Sequence, residues 1–198
     1  LILKNFKDKK LTWLRNHMRD KFLIAETNGI YLLQFYQDEI NNKFNIIKRM
    51  ILNKAGLKRK SIFARKTEVV KNLDKKMVNN FLDKYHIQGS TTYKFSYGLV
   101  YENKLVAIML FDSITSNRGV KGNDYQYELV RFASKERVVG GASKLLYNFL
   151  LDHPLTKEVI SYSDNRISSG NMYKELGFTL DVARSDKPDY YYIYKSYA

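Results

Sequence analysis

The chain has 198 residues, of which 44% are apolar and 14% aromatic, enough to bury the core of one ordinary domain or of one domain and a fragment. It contains no cysteine, which excludes disulfides, thiolate metal sites and a cysteine nucleophile, and no apolar run approaches the roughly 18 residues of a membrane span. The lysine-rich N-terminus has no apolar signal core, so we expect a soluble, cytoplasmic protein. Because the first residue is Leu1 rather than methionine, we also expect a longer or processed parent protein.

The net charge of +14 is concentrated in the N-terminal part of the chain. Residues 1–76 hold 19 Lys and Arg against 7 Asp and Glu, a net +12, whereas residues 77–198 hold 15 against 13, a net +2. Clustered cations bind polyanions by releasing their condensed counterions, so nucleic acid is the first candidate partner. A lysine-rich surface that serves only solubility explains the same charge equally well.

The first third of the sequence predicts two helices with a strand between them. Apolar residues at spacings of three and four predict a helix over residues 6–27, which Asn28-Gly29 ends. The apolar run 30–36 predicts a short buried strand, and a second helix begins near Asp38. The apolar residues on one side of that helix are Ile40, Phe44, Ile47 and Ile51.

A linker is predicted where the apolar pattern stops, at Gly56 and the basic run 58–60. We therefore predict a basic helix-strand-helix extension over residues 1–60 and a second domain over residues 61–198. Strands and helices alternate in the second domain, which implies an α/β or α+β sheet. The predicted strands are Ile62 to Val70, Tyr97 to Tyr101, Leu105 to Phe111, Tyr125 to Ala133, Val159 to Ser163, Phe178 to Val182 and Tyr190 to Tyr194. The predicted helices begin at Asp74, at Gly140-Gly141 and near Ser169.

The pattern Arg137-x-x-Gly140-x-Ala142 lies between a predicted strand and a predicted helix. Small residues let a backbone approach an anion, and the first amides of a helix have no acceptor within it and lie at the positive end of its dipole. Arg137 adds a full charge. These features predict a phosphate site, with a glycine turn that only starts a helix as the alternative.

In order and spacing these residues resemble the signature of the GNAT superfamily of N-acetyltransferases, Gln/Arg-x-x-Gly-x-Gly/Ala between the fourth strand and the third helix. About thirty residues later the same family carries a strand, an Asn, a short helix and a Tyr-x-x-x-Gly-Phe ending. Here Asn165, Tyr173, Gly177 and Phe178 follow in that order. The resemblance covers about residues 62–198 and implies a mixed, mostly antiparallel central sheet flanked by helices.

The resemblance also implies a cofactor, acetyl-CoA or another acyl-CoA, bound between the splayed fourth and fifth strands. Its phosphates would be held by the loop 137–143, and Asn165 would be a further cofactor contact. The residues of that loop are Arg137, Val138, Val139, Gly140, Gly141, Ala142 and Ser143.

Acyl transfer from a thioester to an amine needs a base for the proton of the amine and an acid for the departing thiolate. Tyr173 matches the position that often supplies the acid in this family, although with 16 tyrosines in the chain ordinary packing is the alternative. Glu128 lies on the strand before the phosphate loop, where the family frequently keeps a general base. An ion pair of Glu128 with Arg131 or Lys144 is the alternative for that residue.

Three more residues are candidates for catalysis. His86 lies where a helix breaks just before the sheet, from where a neutral imidazole can reach the acceptor, and a structural hydrogen bond is the alternative. Ser163 and Asp164 lie at the end of the fifth strand and would face the cofactor or the acceptor. No metal site is predicted.

More narrowly, the stretches 86–89, 127–132, 140–144 and 161–166 look like a phage-encoded subgroup related to DNA-modifying acyltransferases of the Mom type and to the C-terminal domain of homing-endonuclease-like proteins. Residues 29–52 resemble the end of a very-short-patch-repair-like nuclease. Because residues 1–28 show no convincing metal-ligand pattern, we predict no nuclease activity.

The sequence therefore predicts an acyl-CoA-dependent N-acyltransferase that acts on an amino group of a nucleic acid. Two alternatives stay open: the same chemistry on a protein or small-molecule amine, and a non-catalytic DNA-binding module that keeps the fold as a scaffold.

Overall fold

The computed structural model describes residues 17–57, 61–114 and 125–181 and the strand Asp189–Lys195. The helices are α1 (residues 17–27), α2 (Gln37–Lys54), α3 (Lys75–Tyr85), α4 (Gly141–Asp152) and α5 (Asn171–Glu175). The strands are β1 (Ser61–Phe63), β2 (Glu68–Lys71), β3 (Phe95–Tyr101), β4 (Lys104–Ser113), β5 (Gln126–Ser134), β6 (Arg137–Val139), β7 (Glu158–Asp164), β8 (Thr179–Leu180) and β9 (Asp189–Lys195). The predicted helix before residue 17 and the predicted linker 58–60 lie outside the described residues, so the domain boundary stays a prediction.

One sheet organises the described part of the chain. Its seven strands have the order β2-β3-β4-β5-β7-β9-β8, and a separate parallel pair joins β1 to β6. Neighbouring strands in the large sheet are antiparallel, except for β5 and β7, which are parallel. The predicted fold class, a mostly antiparallel sheet flanked by helices, is confirmed.

Two helices cover opposite faces of this sheet, because successive side chains of a strand point to opposite sides. Ile108 and Leu110 on β4 pack with α3, which Asp74 caps as predicted by accepting a hydrogen bond from the backbone N–H of Met77 at 2.9 Å. The intervening residues of β4 pack with α4 in the larger core cluster. At its centre the rings of Phe111 and Phe149 stack with their centroids 3.7 Å apart.

Strand β5 contains a bulge. In its pairing with β4, Leu110 lies opposite Arg131 and Phe111 lies opposite Leu129, so that Val130 is an extra residue on β5. After the bulge the alternation is shifted, and Phe132 joins the cluster on the α4 face. The bulge therefore redirects the side chains of β5 just where this strand separates from β7.

Residues 30–36 form no strand, so that prediction is wrong. The segment runs extended along the turn that follows β7, where the backbone N–H of Gln34 donates to the carbonyl of Arg166 at 2.7 Å and the hydroxyl of Tyr31 donates to the carbonyl of Ile167 at 3.1 Å. The side chain of Ile30 is 62% exposed. An apolar run alone does not distinguish a paired strand from an extended segment held by a few contacts.

The predicted apolar side of α2 is only partly buried. Ile47 is buried together with its neighbour Ile46, whereas Phe44 and Ile51 are exposed. Lys43 has non-helical backbone angles, so the helix is kinked there. The prediction of one regular apolar face therefore overestimates how much of α2 is buried against the rest of the domain.

The predicted strand 62–70 is two strands, β1 and β2, separated by a short 3-10 turn. The turn is fixed by the Thr67 hydroxyl, which donates to the carbonyl of Ala64 at 2.7 Å, and by the ammonium group of Lys144, which donates to the same carbonyl at 2.9 Å.

Among the described residues, no helix is both long enough and apolar enough to span a bilayer.

The stacked core predicts a large stability difference between two aromatic residues of α4. Replacing Phe149, which is fully buried, by alanine removes its stacking partner from Phe111 and should lower the free energy of unfolding by about 3–5 kcal/mol. Tyr147→Ala on the same helix is the control, because Tyr147 is 62% exposed and should cost no more than about 0.5 kcal/mol beyond the change in helix propensity. Urea denaturation of both variants measures the difference, and equal losses would contradict this packing.

Candidate active site between two diverging strands

The parallel strands β5 and β7 are paired over three residue pairs only, and then they separate. The last pair is Glu128 with Ile160, after which β5 continues to Ser134 and β7 to Asp164. The hydroxyl of Ser161 lies immediately beyond this point and donates across the gap to the carbonyl of Leu129 at 2.9 Å. A hydrogen bond between a side chain and the backbone therefore bridges the two strands at the point where their ladder pairing ends.

The hydroxyl of Tyr173 lies at the same point. It is 3.0 Å from Ser161 Oγ and 3.3 Å from the carbonyl of Tyr162, to which it can donate. Burial raises the pKa of Tyr173, although the hydrogen bond with Ser161 and the charge of Arg131 partly offset it. A protonated phenol therefore lies where the strands separate, and its role as an acid stays a prediction.

On the α4 face of the sheet, a groove of about 260 Å³ follows the predicted phosphate loop. All seven residues of the loop, 137–143, line it together with the apolar residues Phe132 from β5 and Met172 and Leu176 from the α5 region, and with the carboxylate residue Glu175 of α5. Sequence reasoning missed these three apolar residues, because nothing in the local pattern shows which side chains a distant helix brings to the loop.

The loop has a fixed backbone. Arg137–Val139 forms β6, paired with β1, and this strand replaces the first half of the predicted loop. Gly140 then caps α4 with φ of 74°, a conformation that favours glycine. A Cβ on Gly141 would lie 2.9 Å from the side chain of Val138, which is closer than real side chains approach. Both glycines are therefore required, and the first residues of α4, whose amides have no acceptors within the helix, line the groove.

No family model and no curated protein matches the sequence. Among solved structures, the acetyltransferase of Bacillus subtilis in complex with CoA is similar over 67% of this chain and 100% of its own, at 11% identity and a TM-score of 0.50. The N-acetyltransferase of Staphylococcus aureus Mu50 is similar over 65% of this chain and 98% of its own, at 12% identity and a TM-score of 0.47. A GNAT-family acetyltransferase of Elizabethkingia anophelis with acetyl-CoA bound is similar over 66% and 99%, at 12% identity and a TM-score of 0.43.

The chain has the fold of the GNAT acetyltransferases. At 11% identity the similarity concerns the fold, and the site has to be argued from the residues of this chain.

A second cavity of this GNAT fold, of about 160 Å³, lies between the diverging strands on the side of α3. It brings together three of the predicted catalytic residues, Glu128, Ser163 and Asp164, which are separated by up to 36 positions in the sequence. Gln88 and Arg131 complete its polar lining and were not predicted as site residues. The quoted stretches that carry the family resemblance contain both, but nothing in them marks these side chains as facing a cavity.

This second cavity contains an unpartnered hydroxyl. Ser163 is 3% exposed, and its Oγ has no hydrogen-bond partner within the described part of the chain. Glu128 beside it is 8% exposed, which is unusual for a carboxyl group. Buried polar groups are normally satisfied, so the cavity is suited to a ligand that brings hydrogen-bonding groups of its own.

Three predicted residues, Tyr173, Asn165 and His86, line neither cavity. Asn165 is buried in the turn after β7. His86 caps the C-terminal end of α3, where its Nδ1 accepts a hydrogen bond from the backbone N–H of Gln88 at 3.2 Å. Burial, and then the positive charges of Arg131 and Lys43, lower the pKa of His86 to about 4. The imidazole is therefore neutral at pH 7 and orients the segment that carries Gln88 towards the cavity.

The low pKa of His86 predicts a pH dependence of stability. Its folded value of about 4 lies below the ordinary value of 6.5, so the neutral form stabilises the fold above pH 6.5 and this contribution is lost as the pH falls towards 4. In His86→Gln, which cannot titrate, the free energy of unfolding should fall less steeply over that range. Denaturation at a series of pH values compares the two proteins, and NMR of the imidazole should show titration near pH 4. A titration near 6.5 would refute the buried position.

Proposed function

We propose that the chain is an acyl-CoA-dependent N-acyltransferase that acts on an amino group of a nucleic acid. The observation that carries the proposal is the pair of cavities on opposite faces of one sheet, one on each side of the place where β5 and β7 separate, with the hydroxyl of Tyr173 at that place. An enzyme that transfers a group from one substrate to another needs two binding regions that meet at the reacting atoms.

The groove on the α4 face fits a phosphate-bearing cofactor. Unsatisfied helix amides, the positive end of the α4 dipole and the guanidinium of Arg137 favour an anion there, and the exposed Gly140 has no side chain to cover the backbone at the helix start. The apolar side chains of Phe132, Met172 and Leu176 line the part that an aliphatic arm would cross. Acyl-CoA bound in this groove supplies an activated acyl group.

The residues at the gap supply the proton transfers. In this proposal Glu128, in the α3-side cavity, accepts the proton that an attacking amine loses, and Tyr173, at the separation point, donates a proton to the leaving sulfur. Ser161 fixes the Tyr173 hydroxyl in place, and Ser163, Asp164 and Arg131 would orient the acceptor. In this proposal His86 acts through the position of Gln88 rather than as a base.

The N-terminal extension supports a nucleic-acid acceptor. Helices α1 and α2 carry exposed cations, among them Lys21, Lys48 and Lys54, and the extension packs beside the turn that follows the cavity residue Asp164. Polyanion binding would bring an amino group to this side of the sheet. Because the cavity is small, a base would have to be presented out of its stack. Phage origin, the Mom-like subgroup and a cytoplasmic location stay predictions from the sequence.

Gly140→Glu tests the cofactor site. A carboxylate placed about 4 Å from a diphosphate repels it by roughly 4 kcal/mol, so affinity for CoA should fall by more than about tenfold in calorimetric titration. Gly56→Glu is the matched control, because Gly56 has a similar φ of 69° and open space around it but lies far along the chain from the loop. The proposal fails if CoA binds neither wild type nor control, or binds Gly140→Glu as tightly as wild type.

Tyr173→Phe tests the chemistry. Removing the phenolic proton should lower turnover by about a hundredfold while leaving CoA affinity unchanged, whereas Tyr147→Phe on the exposed side of α4 should behave as wild type. Transfer of labelled acetyl groups is measured in parallel to single-stranded oligonucleotides and to a lysine peptide. Labelling of the peptide alone would exclude nucleic acid as the acceptor, and binding of DNA without any transfer or CoA affinity would favour a scaffold.

A further inference from the structure

Helix α2 contacts the chain just beyond the ends of both diverging strands. Near its start, Glu39 forms an ion pair with Arg166, two residues after the end of β7. Near its end, Arg49 donates to the carbonyls of Ser134 and Lys135, the last residue of β5 and the residue after it. Ten residues of helix separate Glu39 from Arg49, a rise of about 15 Å. One helix, kinked at Lys43, therefore connects the two strand ends.

The contact at the β7 end is an ion-pair network. Arg166 donates from two nitrogens to both carboxylate oxygens of Glu39, at 3.0 and 3.1 Å, and from two nitrogens to Asp164, at 2.6 and 3.1 Å. Burial lowers the pKa of Arg166, but both carboxylates outweigh this effect and raise it. Burial likewise opposes ionisation of Glu39, yet the hydrogen bonds from Arg166 and from the backbone N–H of Tyr36 hold its pKa below the ordinary value. The network is charged and geometrically specific.

The same network shapes the cavity and the start of α2. Asp164 is at once a wall of the α3-side cavity and a partner of Arg166. The Arg166 guanidinium also lies 4.3 Å from the centre of the Tyr36 ring, and Tyr36 caps α2 by donating its backbone N–H to Glu39 at 2.9 Å. The position of the cavity wall is therefore tied to the first turn of α2.

The contact at the β5 end is held with equal specificity. The Arg49 guanidinium makes hydrogen bonds of 3.2 and 2.7 Å to the two carbonyls and lies 4.5 Å from the centre of the Tyr85 ring at the end of α3. Between the two ends of α2, Ile46 and Ile47 pack with Ile87 and Ile167, which follow α3 and β7. The helix is thus in contact with the domain along its length.

We infer that α2 is a cross-brace that sets the spacing of the two strand ends around the α3-side cavity, with Glu39 and Arg49 as its positioning residues. The sheet itself does not set this spacing, because ladder pairing between β5 and β7 stops, in the part of the chain that is described, at Glu128 and Ile160. The role of that cavity as the acceptor site rests on the proposed function, whereas the brace is a physical claim that can be measured without substrate.

The test uses the absence of cysteine from the sequence. Two cysteines introduced at Glu136 and Ser169, just beyond the braced ends, carry spin labels in the full chain, and pulsed electron resonance gives the distribution of distances between them. The variants Glu39→Gln and Arg49→Gln each remove one end of the brace while keeping a polar side chain. Asp38→Asn and Lys48→Gln are matched controls on the same helix, because both residues are exposed.

A brace predicts a broader distance distribution in Glu39→Gln and in Arg49→Gln and the wild-type distribution in both controls. An unchanged distribution in the two test variants overturns the inference, even if their melting temperatures fall, since a merely stabilising contact would change stability alone. The measurement is made with and without CoA. Failure of wild type to bind CoA would refute the proposed function and leave the distance result to decide the brace.

Discussion

The whole site depends on the end of pairing between two parallel strands. Past Glu128 and Ile160 the facing edges of β5 and β7 no longer satisfy each other, and backbone groups left without partners are costly unless something else bonds them. The Ser161 hydroxyl provides one such bond across the gap, and the bulge at Val130 turns the following residues of β5. The two cavities lie on either side of this interruption in the pairing.

Different contacts support the chain on each face of the sheet near this opening. On the α4 face, the short pairing of β6 with β1 and two glycines fix the chain at the start of α4, and the side chain of Lys144 anchors the turn after β1. On the α3 face, charged contacts from α2 hold the residues beyond each strand. The start of α4 is thus built from local backbone geometry, and the cavity on the opposite face is built from long-range side-chain contacts.

This division explains what the sequence could predict. The glycine turn that starts α4, the cap at Asp74 and most strands of the large sheet follow local patterns, and the structure has them where expected. The ion pair of Glu39 with Arg166 joins residues 127 positions apart, and no local pattern contains it. The contiguous apolar residues of the segment 30–36 predict a strand, whereas the actual partner of this segment is a turn far along the chain. No local pattern predicts Gln88 as a cavity residue either, since only the folded sheet brings it beside Glu128.

The most direct measurement of the central claim is amide hydrogen exchange of the full chain with and without CoA. If CoA phosphates bind the start of α4, exchange should slow in the peptide that covers residues 137–145 and at the edges of the gap, in β5 and β7, while the face of α3 away from the cavity stays unchanged. Exchange that CoA leaves unaltered in residues 137–145, at concentrations that saturate any binding, would contradict the account.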